Sequence, residues 1–190
     1  MEQVKQFKKY AYLALMFAPL VVSLFVVWFL PETIASRMDL AGNVTATASR
    51  FSIFLFPILV AILGFAIRVA SSSPKLTGGN VSTARSISWI LLLLLNVIAY
   101  FQFWLYLGGM TAGAQMSRFL TFILGVFFIL IGNLAPKIKE NSKHFGFRAS
   151  WLKNNDAAFR KTQRFFGIAS VVAGVLMMLP GIFMVNNVAI

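Results

Sequence analysis

Five long apolar stretches leave this chain few ways to fold. They run over Tyr10–Leu30, Phe51–Ala70, Ile87–Leu107, Phe119–Ala135 and Phe165–Val185. A helix needs about 20 mainly apolar residues to cross a bilayer. Four stretches reach that length; Phe119–Ala135 is shorter and would span with flanking anchors or a locally thinned bilayer. The runs are continuous rather than alternating, which favours helices over a β-barrel. A chain of 190 residues that is 59% hydrophobic and 12% charged has more apolar surface than a soluble core can hide. The expected fold class is all-α: a polytopic helical membrane protein with about five transmembrane helices. Lys5, Lys8 and Lys9 precede the first stretch as they would in a signal peptide. That stretch is too long for a signal core and no small-residue cleavage site follows, so it is expected to remain as a helix.

Charge sets the expected orientation. The N-terminal segment, the loop between the second and third stretches and the loop after the fourth carry 14 of the 17 Lys and Arg residues. Arg37, Arg50 and Arg118 are the three in the alternate compartments. By the positive-inside rule the N-terminus is cytoplasmic and the C-terminus outside. Pro31–Arg50 is then an outer loop, and residues 136–164 form a cytoplasmic one. The formal net charge of +12 is thereby explained as a topology signal. A basic footprint without a motif does not point to nucleic acid, so no direct nucleic-acid partner is expected. Contact with anionic membrane lipids is.

All five acidic residues lie outside the apolar stretches. Ion-coupled carriers place ionisable groups at membrane depth, so a small transporter or permease is the weaker alternative. Ser23, Asn96, Gln102 and Asn133 are polar residues within the stretches and are expected to bond between helices. Gly125 and Gly132 share a face seven residues apart, and Ala169/Ala173 and Ser170/Gly174 are small-xxx-small pairs; both patterns suit close helix packing. Pro19, Pro57 and Pro180 are expected to kink or end helical turns. Trp28, Trp89, Tyr10, Tyr100 and Tyr106 are candidate interfacial anchors. Ser71–Pro74, with Gly78 and Gly79, reads as a flexible connector.

Catalysis finds little to stand on. The chain has one His, His144, and no Cys. Thiol chemistry and thiolate metal sites are excluded, and no HExxH or nucleophile elbow is present. No catalytic residue, metal ligand or cofactor is expected, and the chain is read as a non-enzyme.

The informative polar segment is Ile131–Arg164, which holds eight Lys and Arg residues. Gly132-Asn133 and Pro136 close the fourth helix. Gly146 permits a turn before Arg148, and Trp151 with Leu152 suits the bilayer interface. Asn155 is a candidate N-cap, with Asp156 in the first turn of a helix running into the fifth stretch. Arg160 and Arg164 share a face of that helix. Read from these residues alone, the segment is an amphipathic anchor.

The order of Gly132, Asn133, Pro136, Lys137, Lys139, Asn141, Gly146, Arg148, Trp151, Arg160, Lys161, Thr162, Arg164 and Gly167 resembles the SdpI family of bacterial immunity proteins. In that family the same residue types stand in this order between two membrane helices. Leu30, Pro31, Ile34, Gly42 and Pro57 resemble a second element, an N-terminal domain of unknown function often fused to SdpI-like regions. There are departures. Ala149 and Ser150 stand near the Trp where the family often has Thr-Pro. Phe159 replaces a Trp, Gln163 the usual His, and Arg37 a frequent outer-loop His. Well-known members have six helices against the five stretches here, so a sixth helix lost by truncation and a shorter subfamily both stay open.

The resemblance implies a protein of the bacterial cell membrane that protects against a membrane-acting peptide toxin. It also implies signalling, through recruitment of a cytoplasmic transcriptional repressor. Asn133, Pro136, Lys137, Asn141, Gly146, Arg148, Trp151, Arg160, Lys161 and Arg164 are then the candidate partner-binding motif. Pro31, Ile34 and Gly42 mark the outer loop. The expected organisation is an N-terminal membrane region over 1–110 and an SdpI-like region over 111–190. An orphan structural membrane protein is the third reading.

Overall fold

The computed structural model describes residues 2–38, 44–78, 80–108, 113–138 and 156–183. Its long helices are α1 (Glu2–Val26), α2 (Leu55–Ser72), α4 (Val81–Gly108), α5 (Gly113–Leu134) and α6 (Asp156–Phe183). Between α1 and α2 lie strands β1 (Thr33–Met38) and β2 (Val44–Ser49), and between α2 and α4 a single turn, α3 (Pro74–Thr77). Among the described residues, five segments are long and apolar enough to cross a membrane: Gln6–Phe29, Arg50–Ser72, Val81–Gly108, Phe119–Lys137 and Asp156–Leu179. The chain is thus an all-helical, multi-pass membrane protein apart from one small hairpin. It divides into two compact units, Met1–Ala66 with Leu91–Ser117, and Ile67–Ile90 with Arg118–Ile190.

In the first unit α1, α2 and α4 meet around Gly64. A Cβ placed there would stand 2.9 Å from Met16 Cγ and 3.3 Å from Leu92 Cδ1. The buried Tyr12 hydroxyl donates to the Gly64 carbonyl at 3.0 Å, a hydrogen bond from α1 to α2. At the other end of the unit Val26, Val27, Leu30, Ile34, Ile53 and Phe103 form a buried cluster.

The segment read as an outer loop is ordered. β1 and β2 pair antiparallel from Thr33↔Ser49 to Met38↔Val44, with register shifts on either side of Arg37. Two strands alone are marginal in water. Here Ile34 is drawn into the apolar cluster, and the Arg50 N–H donates to the Glu32 carbonyl at 2.9 Å to close the base.

Other expectations need correction. The connector after α2 is a built turn: Pro74 opens α3, Gly78 closes it with φ 57°, and the buried Thr77 hydroxyl donates to the Ser73 carbonyl at 2.9 Å. Only glycine takes that left-handed backbone cheaply. Pro57 sits in the first turn of α2, where its missing N–H removes no helical bond, so it opens the helix rather than breaking it.

Ser23, Asn96 and Gln102, expected to bond between helices, bond within their own. Ser23 Oγ donates to the Leu20 carbonyl at 2.7 Å and Asn96 Nδ2 to the Leu92 carbonyl at 2.9 Å. Gln102 Nε2 donates to the Tyr106 hydroxyl at 3.1 Å. A side chain one turn from a carbonyl finds it sooner than a partner on another helix.

Candidate functional site

The described part of the candidate motif falls in two arms, and the second unit packs them together. The first arm ends α5 at Leu134 and continues as a 3-10 turn over Ala135–Lys137. The second is the N-terminal half of α6, which begins at Asp156 as the acidic first turn favours.

Glycines fix the register between them. A Cβ on Gly132 would lie 2.7 Å from the Gly167 carbonyl oxygen, and one on Gly167 would lie 2.7 Å from the Gly132 oxygen. Seven residues on, Gly125 and Gly174 repeat the arrangement at 2.6 and 2.5 Å. The two helices therefore run antiparallel with backbones in contact at two points, two turns apart, which no larger residue would allow. Any Cβ on Gly167 would also meet the Pro136 ring at 3.1 Å, so the 3-10 turn rests against α6 at the same level.

This packing sorts the second arm. Phe159, Gln163, Gly167, Ser170 and Gly174 are buried and lie at steps of four, four, three and four residues, one face of a helix. Arg160, Lys161 and Arg164 are exposed. On the first arm Ala135 and Ile138 are buried while Asn133, Pro136 and Lys137 are exposed. With a rise of about 1.5 Å per residue, Arg164 to Arg160 lie roughly 5–10 Å along α6 from Gly167. Lys137 follows Pro136, so four cations gather where two apolar spans reach the membrane boundary. Among the described residues of the two arms, Asp156 is the only acid.

The departures Phe159 and Gln163 both fall on the buried face. They are packing positions: Phe keeps an aromatic ring inside and Gln keeps a neutral hydrogen-bonding group. The burial of Gln163 was legible in the four-residue step from Phe159 to Gln163 to Gly167. Of the remaining motif residues, Lys139, Asn141, Gly146, Arg148 and Trp151 lie outside the described residues, as do His144 and Asn155.

In the outer segment Ile34 is buried in the apolar cluster and Pro31 is exposed at the entry to β1. Gly42 lies outside the described residues. No group of His, Cys or acidic residues among the described residues could hold a metal ion.

Comparison with known proteins gives two family-model matches. No curated protein and no solved structure matches the chain significantly. A model of a domain of unknown function, DUF1648, matches residues 14–61, from within α1 through the hairpin into α2. The model of the SdpI/YfhL protein family matches residues 137–190, which begin at the lysine of the 3-10 turn and include all of α6. The chain therefore carries an SdpI/YfhL family region over residues 137–190, behind an N-terminal DUF1648 domain.

Proposed function

We propose that this is an immunity protein of the bacterial cell membrane, protecting against a membrane-acting peptide toxin by binding rather than by chemistry. The observation that carries the proposal is the SdpI/YfhL match over residues 137–190 of a chain with five membrane-crossing segments. The 14-to-3 partition of Lys and Arg supports a cytoplasmic N-terminus and an external C-terminus. In that orientation the hairpin and the lipid-facing helix surfaces meet the toxin from outside. The basic end formed by Lys137, Arg160, Lys161 and Arg164 faces the cytoplasm, where it offers an acidic regulator, a transcriptional repressor in this reading, a surface on which to dock.

The test is survival. A sensitive strain carrying the gene is challenged with the secreted peptides of the source bacterium beside an empty-vector control. Higher survival with the gene is expected; equal killing across the whole peptide fraction rejects immunity.

A further inference from the structure

Arg50 is set apart from the other cations. Its guanidinium carbon lies 6.0 Å from the Trp28 ring centroid and 5.5 Å from that of Phe51. Both distances fall within about 6 Å, the reach of a cation–π contact. The backbone holds the group there. The Arg50 N–H is bonded to the Glu32 carbonyl, and Ser49 Oγ accepts from the Phe51 N–H at 3.5 Å. The adjoining Thr33↔Ser49 pair anchors the same base of the hairpin.

The ring contacts use none of the guanidinium's N–H donors as conventional hydrogen bonds. Among the described residues Arg50 makes no ion pair and no side-chain hydrogen bond. Trp28 is 73% exposed and Phe51 57%, so both rings are open to the surroundings of the chain.

Depth decides what lies opposite. One apolar span ends at Phe29 and the next begins at Arg50, so Trp28, Arg50 and Phe51 sit at the membrane boundary. Exposed Trp and Phe there belong among headgroups and upper acyl chains. At that level the abundant acceptor is the phosphate of a phospholipid, and a guanidinium fork matches two phosphate oxygens.

We propose that Trp28, Arg50 and Phe51 form a phospholipid-binding site, with the Arg50 fork on the headgroup phosphate and the two rings against the glycerol and upper chain. The site is independent of toxin immunity. It ties the base of the hairpin to the leaflet beside it.

Native mass spectrometry of the full chain in detergent tests it, with dioleoylphosphatidylglycerol, dioleoylglycerol and inorganic phosphate as probes. Wild type is expected to hold one phosphatidylglycerol about tenfold more tightly than Arg50→Gln, the scale of a charged hydrogen bond lost. Arg50→Lys, which keeps the charge and loses the planar fork, is expected to fall between. Should Arg50→Gln not fold, Trp28→Leu/Phe51→Leu, which retains the guanidinium, is expected to show a weaker site. Dioleoylglycerol should not distinguish wild type from variant, and millimolar phosphate should not displace the lipid. Equal lipid retention by wild type and variants overturns the site. Equal binding of dioleoylglycerol overturns the role of the phosphate group, and displacement by free phosphate overturns the lipid assignment.

Discussion

Gly132 and Gly64 are both buried, yet they answer to different neighbours. At Gly132 a methyl group meets a main-chain oxygen of α6, so the helices themselves must part. At Gly64 it meets Met16 Cγ, part of a flexible side chain. Gly132→Ala is expected to lower stability by about 1–3 kcal/mol, the usual cost of overpacking. Gly64→Ala is expected to cost less than Gly132→Ala, because a gain of about 1 kcal/mol in helix propensity offsets part of the shift forced on the buried Met16 and Leu92. Thermal unfolding of both variants in one detergent separates the two cases. Asn96 gives a contrasting prediction. Its side chain is 3% exposed, and its Oδ1 has no hydrogen-bond partner among the described residues. The Leu92 carbonyl it donates to already accepts a helical N–H. Asn96→Leu is therefore expected to leave stability unchanged or raise it, since replacing an under-satisfied polar group by an apolar one removes a desolvation cost. The seven-residue spacing of Gly125 and Gly132 made their shared face legible in the sequence. Their pairing with Gly174 and Gly167 was not, because spacing on one helix says nothing about register on another. Tyr12 escaped sequence reading for the same reason: nothing local marks its hydroxyl as a partner for Gly64.

At the scale of elements, the long helices were legible and the hairpin was not. Continuous apolar runs specify membrane helices almost by length alone. β2 is Val-Thr-Ala-Thr-Ala-Ser, with small and weakly patterned side chains, and its pairing depends on the cluster that captures Ile34. Truncating that anchor should therefore release the hairpin without unfolding the helices. Ile34→Ala in a buried site costs about 2–5 kcal/mol. Amide exchange across β1 and β2 is expected to quicken at least about thirtyfold, while exchange in α5 and α6 is unchanged. Equal quickening in all elements would show that the hairpin is not a separate cooperative piece. The polar motif behaves differently again. Gly132 and Asn133, expected to close the helix, lie inside α5, where Gly132 packs against α6; Pro136 falls in the 3-10 turn after Leu134 and rests against Gly167. Phe159 and Gln163 both lie on the buried face of α6.

For the whole molecule, charge and hydropathy act on different sides of the same question. Among the described residues, five segments have the length and hydropathy to cross a membrane. The uneven distribution of Lys and Arg predicts the direction. The absence of cysteine makes that prediction simple to check, because single cysteines can be introduced into an otherwise unlabelled chain. Cysteines at Lys75 and Lys161 are expected to react with an impermeant maleimide only after the cell is opened. One at Ser36 is expected to react in intact cells; the reverse pattern inverts the molecule and exchanges the surfaces assigned to toxin and regulator.

An immunity protein of this kind keeps the membrane sealed under attack. A voltage-sensitive dye read in sensitive cells, during exposure to the source bacterium's secreted peptides, measures this directly. Cells carrying the gene are expected to hold their membrane potential at peptide doses that depolarise empty-vector cells, and Gly132→Ala should lose part of that protection. Depolarisation at the same dose and rate with and without the gene would contradict the immunity reading.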